Sequence, residues 1–359
     1  MNKQMTGRER ITAVLNRQIP DRPPWIPLID PYFTQSLPAQ GYPPFSPLET
    51  MKYLGCEVFP RHVHVYTSSV LNCQFQSKIN DNEELQCWLT PVGTIQSRYK
   101  DTGTTRYCSE HWLKTVEDFA VMQYLCEHTV YRENYANWLE WDELVGDSGM
   151  TPSNLNATGL YKFIEDAGVE NFTYLLADFP DEIEAALNAH HEANKRLCAV
   201  AADSPAKLFI IHENTSTRLM SPKWYRKYAA PHFDEVSDIM HANGKMVFAH
   251  MCGHLQGLLK ELAPQRLDGY ESVCPPTSGN LWSHDALQAM PDKIIMGGLE
   301  PAALERMTVA ETVDYTTDVL NKCAPYKDRY ILATGDATAC GTPLENLLAI
   351  SKLVKNWRY

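Results

Sequence analysis

The chain is 359 residues long, 44% hydrophobic, 21% charged and 10% aromatic, which excludes a disordered polymer, a collagen-like fibre and a small disulfide scaffold. Against 32 Lys and Arg stand 44 Asp and Glu, a net charge of −12 with no basic tail, so the clustered cations of a nucleic-acid binder are missing. No stretch approaches the roughly eighteen apolar residues of a membrane span, the opening residues lack the apolar core of a secretory signal, and ten scattered cysteines without a CxxC pair read as free thiols, all of which points to the cytoplasm.

Ile11, Val14 and Leu15 recur at helical spacing before Pro20 and predict a helix over the first twenty residues. Residues 21–30 predict a short strand running into a loop. Residues 31–110 are rich in Pro, Tyr and Thr, with β-like runs at 57–66 and 93–99, and read in part as an insertion or hairpin layer over a larger scaffold. Residues 115–147 read as helical, with Phe119, Tyr124, Tyr131, Tyr135, Trp138 and Trp141 as core and lid packing. From residue 170 the rhythm is regular. A strand is predicted at 172–177, a helix from Pro180, and a strand at 208–212. A further helix is opened by Ser221-Pro222 and stopped by Asn243-Gly244. Strands at 246–250, 269–273, 294–296 and 330–333 then alternate with helices at 255–262, 284–290, 309–321 and after Thr342-Pro343. Strand and helix in alternation imply parallel strands. The expected class is therefore α/β, a (β/α)8 TIM barrel. Residues 1–359 are read as a single domain whose helical and hairpin elaborations, about 1–150, lie over the barrel. No GxGxxG fingerprint follows any predicted strand.

In such a barrel the working residues follow the C-terminal ends of the strands. Those positions deliver His212-Glu213-Asn214-Thr215, then His250-Met-Cys252-Gly-His254, Glu271 and Cys274, Gly297-Gly298-Leu-Glu300, and Gly335-Asp336 through Cys340. His250 and Cys252 lean the same way from a strand end, so an imidazole and a thiolate can reach one ion. Glu213 and either Asp336 or Cys340 are the available further ligands, and zinc suits a mixed N/S/O set.

The segments Asp21-Arg-Pro-Pro24, Thr90-Pro-Val-Gly-Thr94, Ser221-Pro222 with Tyr225, His250-Met-Cys-Gly253, Pro275-Pro276, Gly297-Gly298 and Gly335-Asp336 through Thr342-Pro343-Leu-Glu-Asn346 resemble the uroporphyrinogen decarboxylase superfamily. Within it, His250-x-Cys252-Gly resembles the zinc-binding branch of corrinoid-dependent methyltransferases. That resemblance implies a TIM barrel whose zinc serves methyl transfer to or from a cobalamin cofactor. The decarboxylases carry an Arg-Gln-Ala-Gly-Arg stretch after the first strand. The corresponding residues 27–36 contain no arginine, so the clamp for a polyanionic tetrapyrrole is absent. The zinc methyltransferases place a cysteine about seven residues before the proline that opens the final helix. Counting back from Pro343 reaches Asp336, which makes Asp336 the expected ligand with Cys340 as the alternative. The ligand set is then Glu213, His250, Cys252 and Asp336.

Replacing a sulfur by a carboxylate oxygen makes such zinc a stronger Lewis acid toward oxygen. The expected reaction is therefore cleavage of an O-methyl substrate, an aromatic methyl ether above all, with transfer of the methyl group to the Co(I) corrinoid of a partner protein. The DxHxxG cobalamin pattern is absent from the chain, which assigns the corrinoid to that partner. Trp25, Asp30, Tyr32 and Phe33 are candidate substrate contacts, and His212, Asn214 and His254 candidate proton donors or orienting residues. Three other readings stay open: methyl transfer from methylcobalamin to a thiol or folate, a noncatalytic ligand-binding member of the superfamily, and, more distantly, the decarboxylase itself.

Overall fold

The computed structural model describes residues 4–359. Seven strands form one parallel sheet: β1 (Trp25–Leu28), β2 (Ser153–Leu155), β3 (Leu208–His212), β4 (Met246–His250), β5 (Gly269–Val273), β6 (Ile294–Leu299) and β7 (Tyr330–Ala337). Their order in space is β1-β7-β6-β5-β4-β3-β2, every neighbouring pair parallel. From β2 onward, strands that follow one another in the chain lie side by side with helical segments between them, the expected TIM-barrel-like α/β fold.

The gap between β1 and β2 is closed by an extended segment that pairs at few positions. The Glu57 N–H donates to the Trp25 carbonyl at 3.0 Å, the Val58 N–H to Ser148, and the Met150 N–H to Val58. Val58 and Gly149 form one parallel bridge. This segment is the eighth stave. The predicted strand at 57–66 thus shrinks to a single bridge, because residues 59–65 leave the ladder and only Tyr66 enters a further strand, Tyr66–Val70. Gly149 is required where it stands, since a Cβ there would lie 1.8 Å from the Val58 carbonyl oxygen.

Side chains that point inward from the staves make one aliphatic and aromatic layer: Ile26, Phe59, Leu208, Ile210, Phe248, Ile294, Met296, Ile331 and Ala333. The helix Gly7–Leu15 adds Ile11, Val14 and Leu15 to that layer and so plugs one end of the barrel. Its Arg10 is buried, with Nε 2.7 Å from Asp21 and Nη1 2.5 Å from Glu57. Glu57 also takes Arg22 and, at 2.6 Å, the Trp25 N–H. Buried charges persist only when paired and hydrogen-bonded. This cluster ties the first helix, β1 and the eighth stave together.

A four-stranded antiparallel sheet follows, built from Gln74–Asn80, Glu83–Thr90, Gly93–Asp101 and Arg106–Glu110. It contains the predicted run at 93–99. The aromatic region 115–147 is two helices, Val116–His128 and Tyr135–Val145, split by the strand Thr129–Glu133, with Phe119 and Trp138 buried. One prediction is overturned: residues 172–177 lie in the helix Val169–Asp178. Phe172, Leu175 and Leu176 are buried while Thr173 and Tyr174 are exposed, which is the period of a helix and not of a strand. The helix predicted from Ser221 begins with the Ser221 hydroxyl capping Trp224, widens into a π turn at Tyr225–Ala229, and ends at His241. No helix among the described residues is long and apolar enough to cross a membrane.

Candidate metal centre at the barrel mouth

Side chains two residues beyond the interior layer project from the same face of each stave. Phe248 leads to His250, Ile210 to His212 and Phe59 to Arg61. Gly269, whose Cβ would strike Phe248, leads to Glu271. Polar groups therefore gather where the barrel opens. His250 Nδ1 lies 2.6 Å from Glu271 Oε2, and Glu271 Oε1 is ion-paired to Arg61. Burial alone would raise the Glu271 carboxyl, yet the Arg61 guanidinium and His250 hold it well below the ordinary carboxylate range. His212 Nε2 is 3.0 Å from Asn154 Oδ1, and its ring stacks on His62 with centroids 5.3 Å apart. Burial holds the His212 ring neutral, its pKa lowered to about 3.

With Nδ1 committed to Glu271, His250 can offer only Nε2 to an ion. That nitrogen is 3.7 Å from Asp336 Oδ1. One ligand atom each from His250, Cys252 and Asp336 lie within 4.8 Å of one another. Asp336 comes from the end of β7, across the mouth from β4. Cys252 lies in the loop after β4, and Gly253 lets that loop close on its neighbour, because a Cβ there would sit 2.4 Å from the Thr215 carbonyl oxygen. The Cys252 thiol also donates to Asn214 Oδ1 at 3.4 Å. Burial, and then the Asp336 carboxylate, push this thiol well above its ordinary pKa. A divalent cation would invert that preference by stabilising thiolate and carboxylate together. A histidine fixed by a carboxylate, facing a thiol and a second carboxylate, is a donor set that zinc accepts.

The other expected ligands lie outside this group of three. The Glu213 carboxylate is instead turned to the Thr158 N–H at 2.8 Å, the Thr158 hydroxyl at 2.9 Å and the Thr215 hydroxyl at 3.2 Å. Burial raises its pKa to about 7. Its backbone N–H bonds the His250 carbonyl, so it braces β3 against β4. Cys340 Sγ lies 3.7 Å from the Thr104 carbonyl, at the tip of the antiparallel sheet.

Residues 158–357 match the family model described as uroporphyrinogen decarboxylase (URO-D). The chain belongs to this family. Among curated proteins none matches the sequence. Among solved structures it is similar to a methyltransferase from Methanosarcina mazei, at 17% identity with a TM-score of 0.64, over 98% of each chain. A xylose isomerase-like TIM barrel protein from Mycobacterium smegmatis aligns at 15% identity over 62% of this chain and 78% of that one, with a TM-score of 0.32. At 17% identity the likeness to the methyltransferase is one of fold.

In this URO-D family chain the aromatic candidates separate by burial. Trp25 and Phe33 are core residues, a correction to their reading as substrate contacts. Both are essentially inaccessible, and Trp25 Nε1 is bonded to Ser351 at 3.2 Å. Tyr32 is half-buried, with its hydroxyl 3.3 Å from Asp101. Asp30 caps the following helix by accepting the Phe33 N–H at 2.8 Å. Asn214 reaches the Tyr161 hydroxyl at 2.9 Å, which makes it an anchor for the Cys252 loop. The His254 backbone N–H bonds the Ser216 hydroxyl, while its ring Nε2 is buried without a partner. Arg61 was missed because the run at 57–66 reads as part of a hairpin layer over the scaffold and not as a stave of the barrel. The contact of Glu271 with His250 was legible in principle, since parallel neighbours in register place the two side by side.

Proposed function

We propose that the chain is a zinc-dependent methyltransferase. In this reading it takes the methyl group of an ether, an aromatic methyl ether in particular, and passes it to the Co(I) corrinoid of a partner protein. The observation that carries the reading is the meeting of His250, Cys252 and Asp336 at the mouth of the barrel. The family and the full-length likeness to a structure named as a methyltransferase support it. The lack of an arginine in residues 27–36 argues against a polyanionic tetrapyrrole.

Zinc held there would supply Lewis acidity toward the ether oxygen, which helps a reluctant alkoxide or phenolate leave. The chain's own residues do the rest. Glu271 fixes the tautomer and aim of His250, and Asn214 positions Cys252. His212 and Asn154 form an uncharged wall beside them. Cleavage of the C–O bond would leave its electron pair on oxygen, and the Co(I) acceptor would supply the pair for the new bond to carbon. The acceptor approaches from the open mouth, where Asp336 is 45% exposed. We read residues 1–359 as one domain, and its ten free thiols as those of a cytoplasmic protein.

The test is to incubate zinc-loaded protein with Co(I) cobalamin and a panel of methoxyarenes and follow methyl-Co(III) in the visible spectrum. Its appearance with one or more donors is expected. Methylation of a thiol or folate from methylcobalamin, with no donor active, would reverse the direction. A protein that binds no zinc would end the reading.

A further inference from the structure

A cavity of about 270 Å³ opens beside this site, between the end of β1, the helix Pro47–Leu54 and the eighth stave. Its walls are apolar, with Leu28, Leu48, Met51 and Trp141 among them, and two charged residues line it, Asp30 and Arg61. Arg61 is the unusual one. Its side chain is 8% exposed and packs over the Phe59 ring at 5.3 Å. Its ion pair is with a single oxygen of Glu271, whose other oxygen is spent on His250. Arg61 Nε is buried with no hydrogen-bond partner. A guanidinium carries five N–H donors in a fork matched to a carboxylate. Burying such a donor unpaired is costly, and unpaired buried donors are rare in folded proteins.

We propose that this cavity binds an aromatic monocarboxylate, with the carboxylate on Arg61 and the ring against Met51 and Trp141. The size of the space suits one substituted ring. Asp30, whose Oδ1 is already held by the Phe33 N–H, places a negative charge on another wall and disfavours a second anionic group there. Arg61 reaches Glu271, and Glu271 reaches His250, so the cavity is linked to the candidate metal centre through this chain of contacts.

Calorimetric titration of the full-length, zinc-loaded protein tests this. The probes are 4-methoxybenzoate, methoxybenzene and 4-methoxybenzylamine. The benzoate is expected to bind about tenfold or more tighter than the neutral ether, as a charge-assisted hydrogen bond would give, and the amine weakest. In Arg61→Gln the benzoate and the neutral ether should bind within about twofold of each other. Should Arg61→Gln fail to fold, Leu48→Trp fills the cavity from its apolar side and should weaken the benzoate at least tenfold. Equal binding of benzoate and neutral ether to the unaltered protein, stronger binding of the amine, or no binding of any probe overturns the proposal.

Discussion

His250 owes its usefulness to what it has already given away. Its Nδ1 is committed to Glu271, so Nε2 is the one nitrogen that can face Cys252 and Asp336. Asp336 and Cys340 sit four residues apart, yet only Asp336 comes within ligand distance of the other two, while Cys340 lies near the backbone at Thr104. Zinc content measured after dialysis should therefore fall to background in Asp336→Ala and stay near one ion per chain in Cys340→Ala. The opposite pattern would return the ligand role to Cys340. Glu213 illustrates a different outcome for a carboxylate at a strand end. Three hydrogen bonds from Thr158 and Thr215 occupy it, so its role in this structure is to hold the start of the helix Gly159–Ala167 against β3.

Among the elements, the eighth stave is the least secured. It closes the barrel through a few backbone bonds, and its register depends on Gly149 lying against Val58. Gly149→Ala would place a carbon 1.8 Å from a carbonyl oxygen that has no flexible end to move. The expected cost is about 3 kcal/mol, read as a fall in melting temperature of roughly 4 °C. An unchanged melting curve would mean that the stave is not needed for closure. Because Arg61 rides on this stave, the same substitution should also loosen its pairing with Glu271. The strands β3 to β7 need no such device, since each pairs on both edges. Their continuous apolar runs were legible for that reason, whereas the run at 57–66 showed its strand character but not its place in the barrel.

Over the whole molecule, two buried histidines outside the barrel make stability depend on pH. Burial lowers His190 to about 3, and burial together with the stacked His191 ring lowers His232 to about 4. The fold therefore favours the neutral rings. The unfolded chain takes up protons near 6.5, so stability is complete above that value and is lost as pH falls toward 4, at up to about 1.4 kcal/mol per pH unit for each group. Thermal melts should decline from about pH 6.5 downward, with protonation of the buried Glu213 carboxyl, raised to about 7, offsetting part of the loss. A melting temperature at pH 5 equal to that at pH 7.5 would contradict this.

The parallel strands, the helix caps and the His250-x-Cys252-Gly motif were all readable one residue after another, because each expresses a local period or a local donor. The departures have one cause. Whether residues 172–177 lie in a helix, whether Trp25 meets substrate or core, and that Arg61 faces Glu271 all depend on which distant surfaces come together. Local chemistry along the chain determined the barrel and nominated the ion. Closure of the barrel alone decided which side chains share its mouth, since burial and pairing are properties of neighbours that the chain brings from far apart.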